Sequence, residues 1–397
     1  MGRQHIGVPS PEAIVAVEPA VTGRRTATGL IDDAVRRGVI PGAVLVAGIG
    51  SAEPVIRHVA GFAQDDSHAR RAMTYDTIFD LASLTKVVAT LPCVLRLVAA
   101  GQLGLDHPVR RHLRGFDGAG KDAVTVRQLL SHTSGLPSHR EYYEYSRDPA
   151  QLRAAALAEP LVTAPGTSVC YSDIGFIVLG ELCAAVTGAG LNTLVAEVVC
   201  APLGMAGTGY LPDASLAGRI ASTEPTGAVA KTGVVHDENA EVLAGVAGHA
   251  GLFGTASDLS WYAAAWAAAG SALATSLGVP GWLRAEALRC QTENMPGAPR
   301  PDGGSGRTRP AADRRGLGWG LRGGRWDNMG DGWPLSGAGH TGFTGTSLSI
   351  DPASGLWAVL LTNAVHFGRG PQHAVAGPRK QVHAAVATAL ADDAGQA

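Results

Sequence analysis

Ser83-Leu84-Thr85-Lys86 opens the segment on which the fold assignment of this 397-residue chain depends. The apolar residues that follow it, as far as Gly101, recur at intervals of three and four, which predicts a helix. A serine and a lysine three positions apart share one face of such a helix. Desolvation or a neighbouring positive charge can lower the pKa of a lysine until its amine accepts a serine proton. The stretch therefore predicts a nucleophile with its own base.

Strand patterns lie toward both ends of the chain, and helical patterns fill its middle. Before the quoted stretch, the pattern predicts one helix and two short strands, over 28–37, 43–48 and 55–61. After it, helical spacing is found over 124–132, 151–158, 172–186, 191–199 and 257–268. Three late strands and a closing helix are predicted over 317–321, 345–350, 356–362 and 381–391.

The economical assembly of these elements is a mixed α/β (α+β) fold. Early and late strands would form one mostly antiparallel sheet flanked by helices, with a mostly helical lobe inserted. We predict a loose lead-in over 1–25, an α/β lobe over 26–82 plus 235–394, and a helical lobe over 83–234. The active site is expected in the cleft between the lobes. The Gly/Pro/Arg-rich segment 296–315 predicts a mobile loop.

Composition argues against several classes of function. The chain has 32 Lys and Arg against 34 Asp and Glu, without a basic cluster with interleaved aromatics, so we predict no nucleic-acid partner. Its five cysteines form no CxxC pair, which argues against a zinc ribbon and suits a reducing compartment. The run His236-Asp237-Glu238-Asn239 matches no metal-ligand spacing. We therefore predict neither a metal nor a cofactor.

The N-terminal residues lack the uninterrupted apolar run of a signal peptide. The most apolar segment, 87–100, contains Arg96 and is shorter than a membrane span. From these observations we expect a cytoplasmic protein that has no membrane partner.

Three later motifs give the first stretch its context. Tyr171-Ser172-Asp173 begins a predicted helix, His340-Thr341-Gly342 precedes a predicted strand, and residues 129–137 read LLSHTSGLP. In order and approximate spacing, these motifs resemble those of the penicillin-recognising serine acyl enzymes, specifically the class C β-lactamase-like branch. That branch also contains family VIII carboxylesterases, DD-peptidases and some acyltransferases. The resemblance covers residues 25–392 and implies a class C β-lactamase-like fold.

The resemblance implies a role for each motif residue. Ser83 would be the nucleophile at a helix N-terminus, where the helix dipole favours a developing oxyanion. Lys86 and Tyr171 are assigned jointly to proton transfer, because the identity of the acylation base in such sites is disputed. The backbone N–H groups of Ser83 and Phe343 would form the oxyanion hole. The implied substrate-binding residues are Asp173, His340, Thr341 and Gly342.

Two residues depart from the pattern of β-lactamases in this branch. Asp173 stands where those enzymes carry an asparagine, and a carboxylate cannot donate the hydrogen bond that an amide donates. His340 replaces a lysine, and a histidine is mostly neutral at pH 7. Both changes remove positive or donating character. They predict poor turnover of penicillin and favour ester, thioester or amide substrates.

The sequence leaves the fate of the acyl group open. If water attacks the acyl-serine, the protein is an esterase or amidase. If an amine or alcohol attacks, it is a transacylase, for instance in secondary-metabolite biosynthesis. A third alternative is a catalytically silent protein that keeps the fold to bind a peptide or small molecule. For Asp173, capping of its own helix is an alternative to substrate binding.

Overall fold

The computed structural model describes residues 19–226, 229–293, 295, 313–325, 327–370 and 374–394. Most of the predicted loop 296–315 lies outside the described residues, as do residues 1–18 of the predicted lead-in. Helix α1, Pro19–Arg36, begins before the predicted start at residue 28. The remaining helices are α2 (Leu91–Ala99), α3 (Val126–Leu130), α4 (Pro149–Ala158), α5 (Asp173–Thr187), α6 (Leu191–Val195), α7 (Ala201–Leu203), α8 (Glu238–Val242), α9 (Ala256–Ala267), α10 (Ala272–Ser276), α11 (Gly281–Leu288) and α12 (Ala376–Ala394).

A seven-stranded antiparallel sheet joins the two ends of the chain, in the order β3-β2-β1-β12-β11-β10-β9. This confirms the predicted antiparallel sheet of early and late strands. The register of β1 against β12 pairs Val44 with Leu361 and Val46 with Val359. The strands are β1 (Gly42–Ile49), β2 (Ile56–Asp65), β3 (Arg70–Ala72), β9 (Gly320–Leu321), β10 (Ala338–Thr341), β11 (Ser347–Asp351) and β12 (Leu356–Thr362).

Strand β1 is buried on both faces, which explains its continuous apolar sequence. Val44 and Val46 belong to the larger core, which also contains α9 and the helical middle of the chain. Leu45 points to a second core beneath α1 and α12, where it joins Ile31 and Leu390. The sheet is therefore the middle of three layers, because both of its faces are covered by helices.

Two smaller sheets complete the described strands. In the first, β8 (Leu252–Thr255) lies between β4 (Ile78–Asp80) and β5 (Gly209–Tyr210). The second pairs β6 (Pro225–Thr226) with β7 (Val229–Ala230). Strand β4 matters for function, because it ends three residues before Ser83 and so fixes where the predicted nucleophile begins its helix.

The segment from Ala82 to Ala99 is one helical rod that changes its winding. A 3₁₀ turn over Ala82–Leu84 leads into a wide π turn over Lys86–Thr90 and then into α2. The π turn lies just ahead of Pro92, which has no N–H to continue the ladder. Within the described residues this 18-residue stretch is apolar and long enough to cross a membrane, so the predicted shortness of this segment is wrong. Of this stretch, 78% is buried inside the protein, which is typical of a core helix.

Candidate active site

Ser83 lies at the exposed end of the buried helical rod, on a turn that several hydrogen bonds hold in place. Ala82, directly before it, has a left-handed backbone with φ of 47°, a strained conformation for a non-glycine residue. The buried Asp80 carboxylate accepts a 2.8 Å hydrogen bond from the Ala82 N–H. Thr346 donates through Oγ1 to the Leu81 carbonyl at 3.1 Å. These bonds fix the nucleophile turn relative to the end of β10.

Lys86 follows one turn later and is completely buried. Its Nζ lies 3.0 Å from Ser83 Oγ, 3.1 Å from the His249 carbonyl oxygen and 2.7 Å from Asp173 Oδ1. Burial alone would lower the pKa of Lys86, but the Asp173 carboxylate and Tyr171 outweigh it and raise that pKa. The predicted lowering is therefore wrong, because the partner of this lysine is an anion. In this arrangement Lys86 is an ammonium that donates to the serine hydroxyl.

Asp173 is the first residue of α5, and its side chain does not cap that helix. The cap is Ser172, whose hydroxyl accepts from the Gly175 N–H at 3.0 Å. The Asp173 carboxylate instead contacts Lys86 and, through Oδ2, His139 Nδ1 at 3.4 Å. Burial would raise the pKa of Asp173, yet Lys86 and His139 hold it well below the usual range. The same ion pair raises the pKa of His139. Asp173 is thus an anion in contact with the Lys86 ammonium and the His139 ring.

Tyr171 stands beside this ion pair within a cluster of rings. Its ring centroid lies 5.0 Å from Lys86 Nζ, 4.5 Å from the His132 ring and 5.9 Å from the His340 ring. His132 has φ of 59° and accepts the Ser172 N–H at Nδ1, at 3.0 Å. His132, which ends the LLSH run, therefore positions the residues around Tyr171.

His340 is itself part of β10, which was not predicted, and its motif precedes β11 as predicted. Its Nδ1 must donate to the Thr341 carbonyl at 2.9 Å, since a carbonyl only accepts. This bond leaves Nε2 as an acceptor, and Nε2 is buried without a partner among the described residues. Burial, followed by the charges of Lys86 and Arg315, lowers the pKa of His340 to about 3. The histidine is neutral at pH 7.

The end of β10 passes close to the nucleophile turn at Gly342. A Cβ at this position would lie 2.5 Å from the Leu81 carbonyl oxygen and 2.1 Å from Thr346 Oγ1. Phe343 follows, and within the described residues its N–H has no acceptor, as an oxyanion donor requires. Its ring is 43% exposed and stacks on His236, with centroids 5.5 Å apart. The structure thus brings together Ser83 and the predicted oxyanion strand.

Three charged groups of the site were missed in the sequence. Arg315 is buried and places its guanidinium carbon 5.4 Å from the Tyr171 ring centroid. His139 contacts Asp173, and Asp237 Oδ1 accepts from the His249 Nε2–H across 2.9 Å. His139 lies two residues after the end of the LLSHTSGLP run, which was a usable signal. Arg315 ends a Gly/Pro/Arg-rich segment and gives no local sign of burial.

The arrangement supplies the parts of acyl transfer through serine: a nucleophile on a helix terminus, an ammonium beside it, a phenol and a free backbone donor. Within the described part of the chain, no group of three or more His, Cys, Asp or Glu side chains could hold a metal ion.

Comparisons with known proteins agree with this geometry. An N-acetylmuramyl-L-alanine amidase of Bacillus subtilis (strain 168) is 30% identical over 396 residues, which cover 88% of this chain and 85% of the relative. A second relative, from Escherichia coli (strain K12), is named by inference as a D-alanyl-D-alanine carboxypeptidase. It is 30% identical over 327 residues, which cover 74% of this chain and 70% of the relative. Among solved structures, EstCE1, a hydrolase with promiscuous acyltransferase activity, shares the fold with a TM-score of 0.66 and 21% identity, over 92% of this chain and 99% of that one.

The family model described as Beta-lactamase matches residues 27–377, which include all three motifs. The fold, the order of the motifs and the relatives therefore lead to one assignment: this chain belongs to the beta-lactamase family of serine hydrolases.

Proposed function

We propose that this protein is a serine hydrolase that cleaves esters or amides through a covalent acyl-Ser83 intermediate. The observation that carries the proposal is the 3.0 Å contact between Lys86 Nζ and Ser83 Oγ, together with a Phe343 N–H that has no acceptor in the described part of the chain. A hydroxyl held by an ammonium at a helix terminus is aligned for attack, and the developing oxyanion meets a donor. The amidase name of the B. subtilis relative supports amides among the substrates.

Tyr171 is the base that this proposal requires, because Lys86 is already protonated. As the phenolate, Tyr171 takes the Ser83 proton while Oγ bonds to the acyl carbon. It returns that proton to the leaving oxygen or nitrogen when the tetrahedral intermediate collapses. Water then repeats the cycle on the acyl-serine. Lys86 remains a cation throughout and orients Ser83 Oγ through its hydrogen bond while the proton moves.

A transacylase is the second candidate, and the His340 side chain favours it. Its Nε2 is a buried acceptor without a partner among the described residues. An incoming amine or alcohol presents an N–H or O–H that can bond to such an acceptor. In that case the acceptor, rather than water, takes the acyl group from Ser83.

The cytoplasm remains our proposal for where the protein works. All five cysteines are free thiols, and three of them are buried. Unpaired cysteines of this kind support a reducing compartment.

The test is turnover of a p-nitrophenyl acyl ester with and without a competing amine, with products identified by mass. Free acid alone supports the hydrolase, whereas acylated amine at modest amine concentration supports the transacylase. Ser83→Ala is expected to lose at least about 10³-fold in kcat, since Ser83 is the nucleophile. A fluorophosphonate should label the parent chain on Ser83 and leave the variant unlabelled. Absence of both turnover and labelling would indicate a silent binding protein.

Penicillin is expected to be a poor substrate. The Asp173 carboxylate is occupied by Lys86 and His139, and neutral His340 adds no charge for a substrate carboxylate. Hydrolysis of a penicillin, followed by absorbance, should be slower than hydrolysis of a simple ester by about 100-fold or more. Equal rates would contradict the inference drawn from these two residues.

A further inference from the structure

Arg315 is a buried cation that the mechanism above does not use. It lies just before β9 and is 4% exposed. Its backbone is fixed, because its N–H donates to Thr292 Oγ1 at 2.9 Å and its carbonyl accepts from Gln291 at 2.7 Å. The guanidinium carbon lies 5.4 Å from the Tyr171 ring centroid. A charge held so firmly beside one phenol costs free energy unless it is matched, which points to a role.

The charged and titratable groups that face Tyr171 come from several parts of the chain. They are Lys86 after the 3₁₀ turn, Asp173 on α5, His132 after α3, His340 on β10 and Arg315 before β9. Most of these groups offer the phenol no net charge. Lys86 is matched by Asp173, and both histidines are held neutral.

Arg315 is matched less closely than Lys86. Its partner is Asp313, whose Oδ1 lies 3.2 Å from Nε, on the segment that leads to β9. The positive charge of Arg315 acts on the site, because it is among the charges that lower the pKa of His132 and of His340. Of the two described cations that face Tyr171, Arg315 is therefore the one whose counter-ion is held less closely, at 3.2 Å against 2.7 Å for Lys86.

We propose that Arg315 is a positioning residue that acts through Tyr171, by stabilising the phenolate that accepts the Ser83 proton. This inference rests on the proposed function. In the acylation step the O–H bond of Ser83 breaks, a new O–H bond forms on Tyr171, and Oγ bonds to the acyl carbon. The phenolate charge passes to the oxyanion and returns to the phenol when the leaving group takes the proton. A fixed guanidinium favours the state in which the phenol is charged.

The experiment is the pH dependence of kcat/KM for a p-nitrophenyl ester, measured on the full chain. Arg315→Gln should move the acid limb up by about one pH unit and so lose about tenfold in kcat/KM at a fixed pH on the acid side of that limb. Arg315→Lys retains the charge and should stay within about twofold of the parent, with an unmoved limb. Asp313→Asn removes the matching anion and should move the limb in the opposite direction. The series is repeated with His139→Gln, which removes the histidine whose pKa is raised by its contact with Asp173.

Fluorophosphonate labelling of Ser83 separates this inference from the proposed function. If the parent chain turns over and is labelled, but Arg315→Gln only scales the rate without moving the limb, Arg315 has a structural role and the inference is wrong. An unmoved limb in Asp313→Asn would also overturn it. If Arg315→Gln does not fold, Arg315→Lys and Asp313→Asn test the inference by the same criteria. Failure of the parent chain in both assays would overturn the proposed function instead.

Discussion

The Asp173 carboxylate determines the charge state of Lys86, which contacts Ser83. Its Oδ1 lies 2.7 Å from Lys86 Nζ, and the two shifts agree: the pKa of the acid falls and the pKa of the lysine rises. An amide at this position would leave the buried ammonium without its counter-charge, and desolvation would then dominate. The choice of aspartate therefore makes Lys86 a permanent donor to Ser83.

Replacing Asp173 by asparagine is expected to convert Lys86 into a group that titrates within the working pH range. Loss of an anion at this distance lowers a lysine pKa by about one to three units. The alkaline limb of kcat/KM for an ester should therefore move to lower pH by at least about one unit. Asp237→Asn is the matched control, because Asp237 is equally enclosed but pairs with His249. A limb that moves equally in both variants would show that the ion pair does not set the lysine charge.

At the scale of elements, the site depends on how closely β10 approaches the nucleophile turn. Gly342 allows the strand end to pass within van der Waals contact of Leu81 and Ala82. Thr346 and Thr344 tie the following loop to the carbonyls of Leu81 and Asp80. The oxyanion donor and the nucleophile are therefore held by one packed junction rather than by separate loops.

Gly342→Ala is expected to separate the two halves of the site. The added methyl must displace either the Leu81 carbonyl or the Thr346 side chain. A shift of about 1 Å can cost about 100-fold in rate, and such overpacking costs about 1–3 kcal/mol of stability. Gly339→Ala, on the same strand, meets its neighbours at 3.0–3.1 Å away from Ser83 and should affect stability more than kcat/KM. Comparable kcat/KM losses in both variants, measured beside thermal unfolding, would contradict this view of the junction.

The elements that could be predicted are those whose own sequence shows a regular pattern of apolar residues. The rod after Ser83 and the strands β1 and β12 are long and apolar, so their patterns sufficed. Strand β10 was missed, because its four residues form a strand only through pairing with β9 and β11.

The site residues likewise divide into those that local sequence reveals and those that only the folded structure brings to the site. Ser83, Lys86 and Tyr171 stand in motifs, whereas Arg315 and His139 reach the site through tertiary contacts between distant segments. The raised pKa of Lys86 likewise follows from the contact with Asp173, which no local spacing reveals.

At the scale of the whole molecule, three neutral histidines are enclosed in the fold. They lie in different parts of it: His132 after α3, His340 on β10 and His383 on α12, the last bonded through Nε2 to Ser347 Oγ at 2.8 Å. Burial lowers the pKa of His340 and of His383 to about 3, and that of His132 well below 6.5. In the unfolded chain all three titrate near 6.5.

These histidines predict a loss of stability in mild acid. Below about pH 6.5 the unfolded chain binds protons that the folded protein does not, so stability present above that pH is lost as the pH falls. Each histidine contributes up to about 1.4 kcal/mol per pH unit. His139, whose pKa is raised, acts in the opposite sense and is 40% exposed.

Urea midpoints at pH 7.5 and pH 5.0 measure this loss. His383→Gln, far from the active site, should remove about a third of the difference between the two midpoints. A variant with the full difference would show that His383 does not contribute.

The division of the site between the buried rod and the connecting segments has a consequence for how the protein can diversify. Ser83 and Lys86 belong to the rod in the largest core, whose opening requires much of the fold to open with it. His139 and the side chain of Phe343 lie on connections, which tolerate sequence change more readily. Selectivity for the substrate can therefore change between related sequences while the chemistry of Ser83 and Lys86 stays the same.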